Sequence, residues 1–496
     1  MITSIHRARR LPAALVLWTC ACAGPAAAAP QGTPPAARPA APAAATPAAP
    51  AAAPAPAATT PDEPKGFARP EIAAGVRSPA APAGLHAFTG ARILPVSGPP
   101  IEDGVLVVRD GRIEAVGPRA QVTVPQGAQV HDVQGKVIIP GLIDTHSHVG
   151  QGWAADGSAP IQPDTRQLDA VDIRDAGFQR AQAGGVTSLN VMSGSGHLMS
   201  GQTIYLKNLD ANSVEAMCYR WADGEPMGGM KMANGTNSQR DPPFPGTRGK
   251  SAALVREAYV KAQEYRRKLE AAGGDAAKRP DRDLDQEALL TVMDGRRIVQ
   301  HHTHRADDVL TVLRLAQEFG FRVVLHHVSE AWKVAPEIAA SGMPVSLIMI
   351  DTPGGKLEAA DYDPKNGAVL EQAGVLVAIH TDDWINDSRL FLRCGAMAVR
   401  AGMTPAGALA ALTLNGAQML DLQDRVGSLE PGKDADFVVL SGDPFSVYTQ
   451  VLQTWALGQQ VFDRANEKDA LWAEGGWGAG RPRGGPICCL GGEEDR

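Results

Sequence analysis

The stretch RRIVQHHTHRADDVLTVLRLAQEFGFRVVLHHVS, residues 296–329, sets two short apolar runs on either side of an amphipathic segment. The runs, ending at His302 and His327, are rich in Ile, Val and Leu and too short for helices. Between them, Asp307 and Asp308 stand where a first helical turn favours negative charge, and Gly320 stands just past the last turn. The reading is strand, helix, strand. EAWKVAPEIAASG (330–342) and MPVSLIMI (343–350) continue it with a helix and a strand. Helices that join parallel neighbours lie outside the sheet, so the class is α/β.

Counting outward gives further strands in GLIDTHSHV (141–149), GVTSLNVMS (185–193), QTIYLKN (202–208), GGMKMANG (228–235) and GVLVAIHTDD (374–383). Eight parallel strands are the number that closes a (β/α)8 TIM-type barrel, expected over residues 140–425. SVEAMCYRWAD (213–223) is a candidate extra strand, Asn234 to Lys250 an elaborated polar loop, and SAALVREAYVKAQEYRRKLEAA (251–272) a long amphipathic helix. Residues 84–139 and 426–466 have another rhythm of short alternating strands broken by Gly, Pro and Asp-Gly turns. Neither flank has many strands, so the two are expected to pair with each other as a composite β-sandwich.

A parallel barrel collects its functional groups at the carboxyl ends of its strands. His146 and His148 close the first strand and share one face, with attachment points about 6–7 Å apart, so both imidazoles can meet one metal ion. His302, His327 and Asp382 close later strands. Four histidines and a carboxylate suit zinc or a similar divalent ion, and the carboxylate can also accept a proton from water.

The rest of the chain bounds what it can be. With 496 residues, a net charge of −7 and no polybasic stripe, nucleic acid is not expected as a partner. MITSIHRARR, then LPAALVLWTCACAG, then PAAAAP give a cationic start, an apolar run too short to span a bilayer well and small residues for cleavage. Residues 1–28 therefore read as a signal peptide, and the product as exported, periplasmic or extracellular, with no integral membrane span. Lipid anchoring through Cys20 or Cys22 is the alternative, although LWTC carries the bulky Trp18 and lacks the small residue usually found just before a modified cysteine. Residues 29–83, rich in Ala and Pro, read as a disordered tether, and 467–496 as a flexible tail. The six cysteines suggest neither a disulfide framework nor a metal knot.

The motifs VIIPGLIDTHSHV, GVTSLNVM, RRIVQHHTHRADD, VVLHHVSEA, VAIHTDD and TLNGAQMLDLQDRVGSLEPGKDADFVVL, spread from Gly84 to Asp463, resemble the amidohydrolase superfamily of metal-dependent hydrolases, in its imidazolonepropionase-like and prolidase-like branch. The resemblance implies a (β/α)8 barrel with a composite sandwich, and metal ligands at His146, His148, His302, His327 and Asp382. Family ligands usually end a strand, which favours His302 and His327 over His301 and His326; the latter two would face the helices or the barrel wall. Members with two ions carry a bridging carboxylated lysine or glutamate, for which Lys231 is the candidate and Lys207 its rival.

The resemblance further implies hydrolysis of an amide or other C–N bond in a small molecule, such as a cyclic amide or peptide, by water that a metal activates and Asp382 deprotonates. Asp383 should point away from the pocket. Zinc, as one or two ions, is the expected cofactor. His304 and, from the loop SGSGHLMSGQ (193–202), His197 and Gln202 are candidate substrate contacts. A deaminase of the same superfamily is the nearest alternative, but HTHRADD lacks the glutamate such members place after the strand-five histidine. The other is an inactive metal-binding scaffold or sensor. Assembly into a homo-oligomer is left open.

Overall fold

The structure, a computed structural model, describes residues 67–150, 155–383 and 385–475. The expected signal peptide, most of the tether and the end of the tail lie outside these residues.

Seventeen strands follow one another among the described residues. The first five are β1 (Leu85–Ile93), β2 (Ile101–Arg109), β3 (Arg112–Pro118), β4 (Gln129–Asp132) and β5 (Val137–Pro140). The central ones are β6 (Leu142–Ser147), β7 (Val186–Val191), β8 (Met199–Gln202), β9 (Ile204–Lys207), β10 (Met230–Ala233), β11 (Val299–Thr303), β12 (Val323–His327), β13 (Val345–Ile348) and β14 (Val377–His380). The last three are β15 (Phe437–Leu440), β16 (Val451–Ala456) and β17 (Gln459–Asp463).

The flanks do pair. They form one eight-stranded sheet in the order β17-β16-β15-β5-β1-β2-β3, with β4 also on β1. β5 is the join, parallel to β1 at Arg92↔Val137 and antiparallel to β15 at Ile138↔Val439. Asp110 and Gly111 turn β2 into β3 with φ of 48° and 75°, the two positive angles of a type I′ hairpin. Phe88, Phe437 and Trp455 pack edge to face and stacked, with ring centroids 4.8–5.7 Å apart, in the centre of this sheet's core. The expected two-layered sandwich is thus a single hydrogen-bonded sheet among the described residues, because β4 and β5 occupy successive stretches of one edge of β1.

The middle of the chain forms two further sheets. β10 to β14 are parallel neighbours in sequence order, as the repeated strand and helix pattern requires, and β8 adds antiparallel to β10. The second sheet holds β6 and β7 in parallel, and β9 antiparallel to β7. β9 departs from the expected parallel order because the segment from β7 to β9 has no crossover helix and already contains β8. Among the described residues the ladder does not close into one ring, but the sheets meet at both edges. The Asp382 amide donates to the His146 carbonyl, and the Thr203 and Tyr205 amides to those of Gly229 and Met227, each at 3.0 Å. The architecture is a TIM-barrel-like α/β fold.

The helix Ala306–Phe319 closes on Gly320 at φ 74°, and Arg248–Ala272 buries Val255, Tyr259 and Ala262. Residues 213–223 supply a short 3-10 helix at Val214–Ala216 and isolated bridges, one of them Leu206↔Cys218, but no full strand. Two boundaries shift. Phe67 is 4% exposed and the backbone of Arg77 exchanges hydrogen bonds with Arg220, so the body begins well before residue 84. Asn466 caps a helix at Glu467–Glu474, where a flexible tail was expected; Trp472 rests on the core, and the Gly475 carbonyl accepts from Arg389 at 2.7 Å. No helix among the described residues is long and apolar enough to cross a membrane.

Candidate active site

The ends of β6, β10, β11, β12 and β14 bring six expected groups to one place. Asp382, just past β14, is wholly buried at φ 50°. Its Oδ1 lies 3.0 Å from His148 Nε2 and 3.4 Å from His146 Nε2, and its Oδ2 lies 3.8 Å from His327 Nδ1. Lys231 Nζ, from β10, lies 3.2 Å from His146 Nε2 and 3.3 Å from Met192 Sδ. The His302 and His304 rings stand 4.4 and 5.1 Å from that of His327. Lys207 is elsewhere: its ammonium donates to Asp434 at 2.9 Å and Asp436 at 2.7 Å.

His326 does not face the helices or the wall. Its Nδ1 lies 3.2 Å from His146 Nδ1 and its Nε2 2.8 Å from Gln300 Oε1. The cause is backbone. His327 at φ 70° and Val328 at φ 38° leave the extended region, which breaks the strict alternation of the strand and turns consecutive histidines inward. His301 instead bonds back to the His302 carbonyl at 2.9 Å. Asp383 is as buried as its neighbour, and its charge adds to the burial that raises Asp144 to about 7. Asp144 in turn ties two ligand-bearing segments together, accepting from the His146 and Thr381 amides at 3.1 Å each and from the Thr381 hydroxyl.

Two site groups escaped the sequence reading. His380 ends β14, two residues before Asp382, so period-two counting would have found it. Lys356 sits in the loop after β13, where no periodicity points, and its Nζ lies 3.3 Å from His302 Nε2 and 3.1 Å from His304 Nε2. Neither loop candidate reaches the histidines through its contacts. His197 packs against Phe244, ring centroids 5.1 Å apart, and Gln202 donates to the Pro163 carbonyl at 3.2 Å.

A buried chain fixes one ring. Thr145 Oγ1 meets Ser346 Oγ at 2.6 Å, Ser346 Oγ meets His380 Nδ1 at 2.8 Å, and His380 Nε2 meets His327 Nδ1 at 3.1 Å. If each imidazole donates toward Ser346, His327 Nε2 keeps its lone pair, and that atom is buried without a hydrogen-bond partner. His302 Nδ1 is likewise unpartnered. Burial, aided by nearby lysines and imidazoles, holds His146, His302, His304, His326 and His327 well below the usual histidine range, and His380 at about 3. They are therefore neutral near pH 7, the state in which imidazole binds a metal.

Ligand atoms of His146, His326 and His380, of His302, His304 and His327, and of His146, His327 and Asp382 fall within 4.8 Å of one another in each set. Neutral imidazoles, an included carboxylate and orphaned ring nitrogens fit a divalent ion of zinc's preferences.

Comparison with known proteins agrees. A family model described as "Amidohydrolase family" matches residues 298–467. The chain is similar to the amidohydrolase tasK of Hapsidospora irregularis, 27% identical over 392 residues covering 73% of this chain but only 40% of tasK. It is also similar to the imidazolonepropionase of Deinococcus radiodurans, 28% identical over 376 residues covering 69% of this chain and 86% of that one. Among solved structures, an amidohydrolase from Thermotoga maritima superposes with a TM-score of 0.71 at 32% identity, covering 76% of this chain and all of its own.

Proposed function

The chain belongs to the amidohydrolase superfamily, and from that premise we propose that it is a metal-dependent hydrolase cleaving an amide or other C–N bond of a small molecule. The observation that carries this reading is the placement of Asp382: a fully buried carboxylate shared by His146 and His148, with the His327 ring 3.8 Å away at Nδ1. His146, His148, His302, His327 and Asp382 would hold the ion, which we take to be zinc. A bound divalent ion supplies polarisation of the scissile carbonyl and makes water more acidic. Asp382 then takes the proton of the attacking water and returns it to the leaving nitrogen. The backbone bond from its own amide to the His146 carbonyl fixes its position. The strands are read as a (β/α)8 barrel with the flank sheet as a sandwich-like companion.

Lys231 is the proposed bridge between two ions. Its wholly buried place beside His146 supports this, since carboxylation requires a neutral amine. Elemental analysis should find about two ions in the native protein and at least one fewer in Lys231→Ala; one ion in both would return Lys231 to a packing role. A deaminase reading has less support, because Thr303 and His304 follow His302. We also place the mature enzyme outside the cytoplasm on the strength of residues 1–28, and mass spectrometry of the native N-terminus tests that.

The decisive experiment measures turnover of dipeptides, N-acyl amino acids and cyclic amides by metal-loaded protein. Hydrolysis that chelation abolishes and Asp382→Asn removes is expected. Metal-independent turnover, or full activity in Asp382→Asn, would sink the reading.

A further inference from the structure

We propose that Lys356 binds an anionic group of the substrate, so that the preferred substrate is a small amide with a free carboxylate a few bonds from the cleaved C–N bond; this rests on the hydrolase reading and narrows it. The segment from β13 to the helix Asn366–Gln372 turns through Gly354 and Gly355, both at positive φ, and delivers Lys356 against His302 and His304. Lys356 is no loosely held surface lysine. Two residues on, Glu358 is 5% exposed and accepts from the Thr236 amide at 2.7 Å and from the Arg248 guanidinium, which also grips Asp308 at 2.9 Å. The loop is therefore pinned over the site to the segment after β10 and to two helices.

What Lys356 lacks is a counter-charge. Lys207, Arg248, Arg322 and Lys333 each meet a carboxylate. Lys356 is half-buried, and among the described residues its hydrogen bonds run to two imidazoles and no carboxylate lies within ion-pair reach. A partly desolvated ammonium without an opposite charge is costly, and an arriving anion removes that cost.

Metal loading sharpens the argument. A neutral imidazole has one lone pair, so His302 can give it to an ion or to Lys356 but not to both, whichever ring nitrogen is used. Once His302 is a ligand, its other nitrogen carries hydrogen, and Lys356 has a donor free beside the reacting bond. Charge-assisted bonds to a carboxylate are about twice as strong as neutral ones, which makes an acid the favoured partner.

Calorimetric titration of the metal-loaded full chain with N-acetylglycine and with N-acetylglycinamide tests this. The native protein should bind the acid at least about tenfold more tightly. Lys356→Met should lose that preference and Lys356→Arg should keep most of it, with elemental analysis reporting unchanged ion content in both. Added salt should weaken binding of the acid and leave the amide unaffected, a readout on native protein that stands even if Lys356→Met fails to fold. Equal or undetectable binding of the two compounds by native protein overturns the proposal. So does a preference that survives in Lys356→Met, because the ion itself would then hold the carboxylate. Failure of the hydrolase reading looks different: no metal-dependent turnover, with the Lys356-dependent preference for the acid intact.

Discussion

Around Lys207 every buried charge meets its opposite, whereas around His327 buried polar atoms outnumber their partners. The Lys207 ammonium sits between Asp434 and Asp436, and Asp434 also takes Ser78 and Arg425. Burial would lower the Lys207 pKa, but the two carboxylates outweigh it and raise it, so this amine stays protonated and cannot be carboxylated. Around His327 the rings are neutral and two of their nitrogens point at nothing. A cluster that closes on itself holds a fold together; one that leaves lone pairs over is built to receive something.

That contrast can be broken in four ways, each with its own magnitude. Asp382→Asn should cut turnover by roughly 10²–10⁴ while leaving the melting curve nearly native, because it keeps shape and removes the basic oxygen. Equal damage to stability and turnover would make the histidine centre a structural cluster after all. Lys207→Met should do the reverse. It strands the buried Asp436, takes one of two cations from Asp434 and should lower unfolding free energy by about 3–5 kcal/mol, measured by denaturant titration, with ion content per folded molecule unchanged. Replacing His326 by Leu removes the contact that orients His146 and should weaken metal affinity about 10–100-fold in a chelator competition, with the fold retained. The smallest effect belongs to Gln202→Ala. Its side chain contacts Pro163 and no site histidine, so turnover should stay within about twofold; a larger loss would extend the site toward β8.

Much of this was legible beforehand because strand ends announce themselves. The apolar runs before His146, His302, His327 and Asp382 have period and length that few other structures share, and parallel order then fixes where their last residues gather. Legibility failed where backbone geometry depends on distant packing. Nothing local in LHHV says that His327 and Val328 adopt positive φ, so the inward turn of His326 was invisible. β9 looked like its neighbours in composition, and only the missing crossover helix gave it the opposite direction. Lys356 belongs to a loop whose course is set by Glu358 and Arg248, residues of no pattern at all. The helix at Glu467–Glu474 carries a single strongly apolar stretch around Leu471 and Trp472, too little to distinguish it from a tail.

The position of β5 has a consequence for how the molecule is made. Its residues Val137–Pro140 are all buried, yet one of its two edges is covered only by β15, which a ribosome delivers after the entire barrel region. Throughout that interval the growing chain carries a bare apolar strand able to add to any other strand it meets. Synthesis that stalls or ends before Phe437 would leave this edge open for good, so truncated copies are the natural seeds of aggregation, and the carboxyl-terminal strands act as the latch that makes the finished molecule safe to release.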